Sequence, residues 1–480
     1  MDILQKFLDG TARGRSREEI ATLLKSNPDA LARFEESYRS MALEATEPEG
    51  NIFGKNSRDM SEEAHSQPLP KDFDMQRVRD IVDAAVDELL EKTWVLHCVS
   101  GKTESSRIPI GPARAPLTNA DLQEVPTAVR PQLTGSLMRV DIRGVSYEPL
   151  LEGYQRWKTG KTEKERMHAY HMFRQGLDIL DLDPVTYEML SMNPNAMSHW
   201  LPGISYAAEK HGFFNIPETK IAKVPITLLQ LTRLDYKSLT PATLKIVDDW
   251  AMRAFGLDVN KTYFIKTGTY SSKFDFRNAK VTGEEEVRTL GEYLLFIHHQ
   301  ALQMASPLSM PCIYGVSTTN EWVVREFIED EEGNPCIYKG LPLHTEYRVF
   351  VDFDNGTVLG VNPYWDPDVM LKKFLEGFDR SAHDKHDYVI YKSHEGTLMA
   401  RYHANVDRVV SHVEELLQDA GLTGQWSIDI MQNGDKFWLI DMATAETSAL
   451  RECVPVERIR HQPENWLPDM SQIPLLGQSL

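Results

Sequence analysis

Cysteine is scarce in this chain of 480 residues: four in all, Cys98, Cys312, Cys336 and Cys453, far apart and with no CxxC pair. That spacing excludes a conventional zinc knuckle and offers no disulfide framework. Basic residues are also in deficit. Lys and Arg total 52 against 71 Asp and Glu, a formal net charge of −19, which argues against an extended nucleic-acid surface because phosphate backbones need clustered bases. A small basic pocket inside an acidic shell stays open, and a nucleotide site has that form. No window approaches about 18 uninterrupted apolar residues, and the N-terminus, MDILQKFLDGTARGRSREE, has no apolar h-region. The chain therefore reads as cytoplasmic, with no membrane partner. GxxxxGK[ST] is absent, so there is no Walker A loop, and no His-Arg-Asp or Asp-Phe-Gly element supports a conventional kinase.

What is present is ordinary globular material, 41% hydrophobic and 26% charged, in a chain long enough for roughly two or three domains. Residues 1–45 read as a small helical module. Asn27-Pro28 starts a helix, and Leu31, Phe34, Tyr38 and Met41 share one face. Residues 46–72, polar and rich in Gly and Pro, read as a linker. Residues 73–250 read as a mixed, mainly helical N-terminal or substrate domain. It opens with a helix over 74–92, on which Val78, Ile81, Val82, Ala85, Val86 and Leu89 recur at three and four, followed by a strand over 94–99. Segments 161–180 and 184–192 are its better helical stretches. Residues 251–455 change texture to strands and turns, and 456–480 form a tail. Within this half the pattern predicts helices over 283–304 and 404–420, the second ending at Gly421. Asp354-Asn355-Gly356 and Asn433-Gly434-Asp435 each mark a hairpin. The order of strand, helix, then antiparallel hairpins makes this half α+β.

Four features there can carry chemistry. Lys266 ends an apolar strand and precedes Thr267, Gly268, Thr269, Tyr270, Ser271, Ser272 and Lys273. A cation beside a loop of glycine and hydroxyls suits a polyphosphate, since the loop can offer backbone N–H groups while the ammonium meets the charge; an ordinary turn is the plainer reading. Asp429 and Asp441 lie in otherwise apolar strands on either side of the Asn433-Gly434 turn. Two carboxylates brought together there repel unless a cation or base lies between them, and Mg²⁺ fits, although strand-edge aspartates can also face solvent. Arg348 shares a strand face with Glu346, and its planar fork suits a terminal phosphate; a surface cross-strand pair is the alternative. Val324 to Glu329 is a strand whose backbone can meet an adenine edge, with Glu329 on ribose; standing alone, the acids at 329–332 would be a solvated loop.

In this order the pieces resemble the ATP-grasp superfamily: the Lys266 strand with its loop, the strand 324–329, the Arg348 strand, and the strands of Asp429 and Asp441. Glu346-x-Arg348 and Leu439-Ile440-Asp441 look most like the branch containing the cell-division-cycle assembly chaperone of eukaryotic translation initiation, and related bacterial and phage proteins. The resemblance implies an ATP-grasp fold, two α+β subdomains clasping ATP, after a mainly helical N-terminal region. It implies ATP and Mg²⁺ as cofactors. Lys266 would contact α- and β-phosphates with Thr267, Gly268 and Lys273 in the loop, and the backbone of Glu326, Phe327 and Ile328 would hold adenine. Glu329 would bind ribose, Arg348 would meet the terminal phosphate, and Asp429 and Asp441 would hold the metal. Arg348 and Lys266 would be the catalytic pair. Ala443 stands where these enzymes usually carry Asn, with Thr444 or Glu446 as possible substitutes. The leading expectation is an ATP-dependent ligase that joins a carboxylate, possibly of a peptide or protein, to an amine or other nucleophile through an acyl-phosphate. The alternatives are a nucleotide-binding assembly chaperone with little or no turnover, and an atypical kinase. His168 with His171, and His298 with His299, lack a third ligand and read as surface or core histidines. Asn362, Tyr364 and Trp365 could line a substrate pocket, with core packing the plainer role for the aromatics.

Overall fold

The computed structural model describes residues 69–111, 117–132, 161–162, 164–165, 190–191, 193–232, 239–305, 319–373 and 382–460. The helical module at 1–45, most of the linker, most of the segments 161–180 and 184–192, His168, His171 and the tail beyond residue 460 lie outside these.

The architecture is α+β, built on two antiparallel-rich sheets. The first has six strands in the order β2 (Lys102–Arg107), β1 (Trp94–Val99), β4 (Thr219–Lys223), β7 (Glu321–Glu326), β5 (Tyr263–Thr267), β6 (Lys280–Val281), every neighbour antiparallel. The second has five: β11 (Thr357–Pro363), β10 (Thr345–Asp352), β12 (Gln425–Asn433), β13 (Lys436–Thr444) and, parallel to β13, β3 (Phe214–Asn215). β8 (Cys336–Ile337) and β9 (Leu341–Pro342) form a separate small hairpin. The boundary expected at residue 250 therefore falls inside one hydrogen-bonded sheet. β1, β2 and β4 precede it, β5 to β7 follow it, and β4 pairs directly with β7.

Strand alternation assigns the two faces of the first sheet. Val95, Ala222, Ile265, Trp322 and Val324 point to the side where helices α1 (Met75–Glu91), α3 (Pro241–Phe255) and α5 (Leu290–Ala305) pack. The apolar positions read for α1 are the ones it buries, with Leu90 added, and Asp74 caps it by accepting from the Gln76 amide at 2.8 Å. Each large side chain so buried contributes roughly 1.5–3 kcal/mol. Cys98, Ile221 and Val323 point the other way, into a second core with α2 (Met197–His211) and residues of β10, β12 and β13.

Two helix expectations change. The segment 283–304 is broken into α4 (Gly283–Arg288) and α5, because the Thr289 amide closes α4 onto the carbonyls of Glu285, Glu286 and Val287. The helix expected over 404–420 is α6, Ala382–Leu417, 36 residues long. Its first half carries polar residues and Gly396, and so lacks the apolar stripe that marks the second half. Gly203 lets α2 approach the end of α6: a Cβ there would lie 2.0 Å from the Ala420 carbonyl oxygen. No helix among the described residues is long and apolar enough to cross a membrane.

Candidate functional site

The second sheet buries one face against α6 and α2, through Tyr347, Val349, Ile428 and Ile430. Alternation puts Glu346, Arg348 and Asp429 on the opposite face, toward the first sheet. Arg348, Asp429 and Asp441 are successive cross-strand partners on β10, β12 and β13, so they form one row. From the first sheet, Lys266 of β5 stands opposite Val323 of β7, and Arg325 of β7 stands opposite Phe264 and Thr219. Cross-strand partners share a face, so Lys266 and Arg325 point toward that row.

Contacts join the two sheets. Lys266 Nζ lies 2.9 and 2.8 Å from the two carboxylate oxygens of Asp441; the lysine is 1% exposed and the Asp441 side chain 37%. Arg348 grips Asp429 in two parallel bonds within the second sheet, Nε to Oδ1 at 2.7 Å and Nη2 to Oδ2 at 2.6 Å, and both side chains are nearly buried. The repulsion between the two carboxylates, for which the sequence suggested a metal, is thus already relieved by two bases. Charge balance alone does not require an ion here. As donors, the two carboxylates are still of the class that Mg²⁺ takes, and Asp441 remains partly exposed. Ala443 offers no side-chain oxygen, and the Thr444 hydroxyl is bonded to Thr447. A divalent ion therefore fits as a guest of Asp441 first and Asp429 second.

Lys273, Glu346 and Tyr364 extend the row. Burial pushes the Glu346 carboxyl up to about 7, with Lys273 and Arg348 drawing it down and Asp429 adding to the rise. Burial likewise lowers the Lys273 ammonium, Arg348 adds to the fall, and Asp429, Glu346 and Asp441 oppose it. Lys273 Nζ lies 4.4 Å and the Arg348 guanidinium carbon 4.7 Å from the Tyr364 ring centroid. Tyr364 is therefore part of the site, whereas Trp365 packs in a core with Tyr338 and Tyr391, and the Asn362 amide bonds the Leu450 carbonyl.

Arg325 was missed by sequence reasoning. It is 3% exposed; its Nε donates to Thr219 Oγ1 at 3.0 Å and its Nη1 to the Ile440 carbonyl. Ile440 is the extra residue of a β-bulge between the Asp429–Asp441 and Ile430–Leu439 pairs, a distortion of the kind that re-aims a neighbouring side chain. Burial pushes the Arg325 pKa down to about 10 while Asp441 pulls it up. Its Nη2 is buried without a hydrogen-bond partner among the described residues. The signal available was a charged residue ending the apolar run Trp322-Val323-Val324-Arg325 within a strand. Lys266, Lys273, Arg325 and Arg348 face Glu346, Asp429 and Asp441, so four bases meet three acids; Glu321, buried on the same face of β7, is bonded separately by the Ser198 amide and hydroxyl.

The loop after Lys266 does not form the expected cradle. Thr267 is fully buried; its hydroxyl accepts from the Tyr270 amide at 2.9 Å and the Thr269 amide at 3.3 Å, and the Gly268 amide donates to the Glu321 carbonyl at 2.9 Å. Those donors are consumed because the loop closes on itself as a tight turn. Gly268 is required for packing instead: a Cβ would lie 2.6 Å from Thr319 Oγ1 and 2.8 Å from Glu321 Oε2.

The adenine expectation is also narrowed. The Glu326 amide donates to the Glu218 carbonyl at 2.9 Å and the Phe327 amide to Thr262 at 3.2 Å, while the Ile328 amide makes no bond among the described residues. Of the three amides, only that of Ile328 is left to donate to a ligand. Phe327 is half-buried under Lys280, whose Nζ is 4.2 Å from the ring centroid and 3.8 Å from Glu329, itself exposed. Asn433, read only as a turn residue, holds the hinge from below: its amide donates to the Glu329 carbonyl at 2.8 Å and its oxygen accepts from the Glu331 amide at 3.0 Å.

Of the acids after Glu329, Glu331 stays exposed. Asp330 and Glu332 turn inward with His344, in a knot bound by Asn334 and Arg401. His298 accepts from Trp322 Nε1 at 3.0 Å, whereas His299 bonds the Thr232 carbonyl, so the adjacent histidines face different partners.

No family model matches the chain, and no curated protein matches it. Among solved structures it is similar to C-terminally truncated Cdc123 from Schizosaccharomyces pombe, at 15% identity and a TM-score of 0.31, covering 57% of this chain and 95% of that one. It is similar in the same degree to Cdc123 from that organism, at 14% identity and a TM-score of 0.30, covering 56% and 93%. At TM-scores this low the likeness carries no argument about the site, so the functional reading rests on the geometry.

Proposed function

We propose that this chain binds a nucleoside triphosphate, ATP with Mg²⁺, between its two sheets, and that it acts as a nucleotide-dependent assembly factor with little or no turnover. The observation that carries this reading is the inter-sheet cluster, in which Lys266, Lys273, Arg325 and Arg348 outnumber Glu346, Asp429 and Asp441. A polyphosphate is the anion such a set takes, and Ile328 offers a hinge amide at the base end. Asp441 and Asp429 would hold the metal, which would supply neutralisation of phosphate charge. The bidentate grip of Arg348 on Asp429, together with Ala443 in place of a third oxygen donor, favours retention of nucleotide over rapid chemistry.

An ATP-grasp ligase that joins a carboxylate to an amine is the second reading. Its support is the pair of cations, Lys273 and Arg348, that meet on the Tyr364 ring beside the row, where an anionic acceptor would find both. Equilibrium binding of ATP with and without Mg²⁺, followed by phosphate release with and without mixed carboxylate and amine acceptors, separates the two. We expect saturable, Mg²⁺-dependent binding and no acceptor-dependent release. Release that needs both acceptors replaces the assembly reading with the ligase, and absence of binding in every condition overturns both.

A further inference from the structure

Of the four bases, Arg325 is the one whose guanidinium has no carboxylate gripping it. Lys266 is held by Asp441 and Arg348 by Asp429, and Lys273 sits among Glu346, Asp429 and Asp441. Arg325 is instead oriented by neutral groups, the Thr219 hydroxyl and the bulge carbonyl of Ile440, and its Nη2 is buried and unpartnered among the described residues. A buried donor left unpaired on a charged group is costly, and such groups are rare unless something else supplies the acceptor. Its position along the cleft restricts that acceptor. Arg325 lies next to the end of β7 and three residues before Ile328, so it is within about 10 Å of the base end, on the sheet face of Lys266.

We propose that Arg325 is an anion-binding residue that donates from Nη2 to the phosphate nearest the nucleoside, so that the site recognises the first phosphate separately from the terminal ones. This rests on the nucleotide reading above. Arg325 then makes the same contact to a mono-, di- or triphosphate, while Lys266 and Arg348 serve the phosphates farther from the base. The Ile440 bulge gives this arrangement a fixed geometry, because one guanidinium meets both the backbone beside Asp441 and the ligand.

The test is fluorescence titration of the full chain with mant-labelled ATP, ADP, AMP and adenosine in the presence of Mg²⁺, for the wild type, Arg325→Gln and Arg325→Lys. Arg325→Gln should weaken all three phosphorylated ligands by about 10- to 100-fold, the range for a lost hydrogen bond to a charged group. Mant-adenosine should change by less than about twofold, within the tenfold-per-1.4-kcal/mol scale of such measurements. Arg325→Lys, which keeps the charge and loses the fork, should give a smaller loss with the same ligand dependence, and it serves if the glutamine variant does not fold. Equal weakening of all four ligands makes Arg325 a structural tether and overturns the proposal. So does unchanged affinity for every ligand. If the wild type binds none of the four, the nucleotide reading fails first and the proposal falls with it; if it binds and the variants lose only ATP, the reading stands and the assignment to the first phosphate is wrong.

Discussion

Two charged clusters flank the hinge segment, and they differ in how they are closed. The knot of Asp330, Glu332 and His344 is built on a turn. Asp330 accepts from the amides of Glu332 and Asn334 and from the Asn334 side chain, Glu332 pairs with Arg401 at 3.1 Å, and Asn334 reaches His344 at 3.3 Å. Most of its partners are backbone or amide groups within five residues of Asp330, so it is satisfied locally. The inter-sheet cluster is assembled from β5, β7, β10, β12 and β13, side chain against side chain, and it leaves a guanidinium donor over. A polar cluster that closes on its own backbone is a structural part. One that spans two sheets with a surplus cation has capacity for a ligand, and this difference, more than the number of acids, identifies the site.

The comparison breaks most readily at Asp429. Asp429→Ala leaves Arg348 nearly buried without its carboxylate, and should lower unfolding free energy by about 3–5 kcal/mol in urea titration. Pairing it with Arg348→Met should recover much of that loss. Glu332→Gln in the knot keeps an acceptor for Asn334 and loses only the Arg401 ion pair, so on the order of 1 kcal/mol is expected. If the two single substitutions cost the same, the distinction between the clusters has no energetic content.

The clusters should also answer pH in opposite senses. Glu346 has its folded pKa raised to about 7 by burial, so the folded state binds the proton more tightly than the unfolded chain. Its contribution is complete below the unfolded value near 4.5 and is lost as pH rises toward 7. His344 is lowered from 6.5, chiefly by burial, with Asp330 and Glu332 opposing, so its contribution is lost as pH falls below 6.5. Each slope is bounded at about 1.4 kcal/mol per pH unit. Glu346→Gln should therefore leave stability rising from pH 5.5 to 6.5, and His344→Asn should leave it falling. A profile unchanged by either substitution would remove both groups from this account.

Much of this was legible in the chain because it depends on strand alternation. Val324-Arg325-Glu326, Glu346-x-Arg348 and the two aspartates around Asn433-Gly434 announce strands, and periodicity puts Glu346 and Arg348 on one face of theirs. What the sequence could not specify is pairing across long separations. Lys266 and Asp441 are 175 positions apart, and nothing local says that each meets the other before it meets a ligand. The β-bulge at Ile440 is invisible for the same reason, since a register shift belongs to two strands together. Thr267 misled because a hydroxyl beside glycine reads equally as a phosphate donor or a turn former, and local geometry chose the turn. β2 was hidden because Lys102–Arg107 is exposed along its whole length and carries no apolar signal.

The smallest effect concerns the turn that joins β12 and β13, where a buried and an exposed link to the hinge lie side by side. Lys436 pairs with Glu331 at 2.7 Å, but both side chains are half exposed, so water screens the attraction and ordering two long side chains opposes it. Asn433 reaches the same hinge residues with two hydrogen bonds, and it is 1% exposed. Lys436→Ala should therefore change stability by less than about 0.5 kcal/mol, with any change vanishing in high salt. Asn433→Ala should cost about 1–3 kcal/mol and weaken nucleotide binding, because the Glu329 carbonyl and Glu331 amide lose their partner and the hinge loses its support. Thermal unfolding of both variants at low and high salt measures this. If Lys436→Ala proved the costlier of the two, the hinge would be held by surface charge, and burial would not be what separates a site from its surroundings in this molecule.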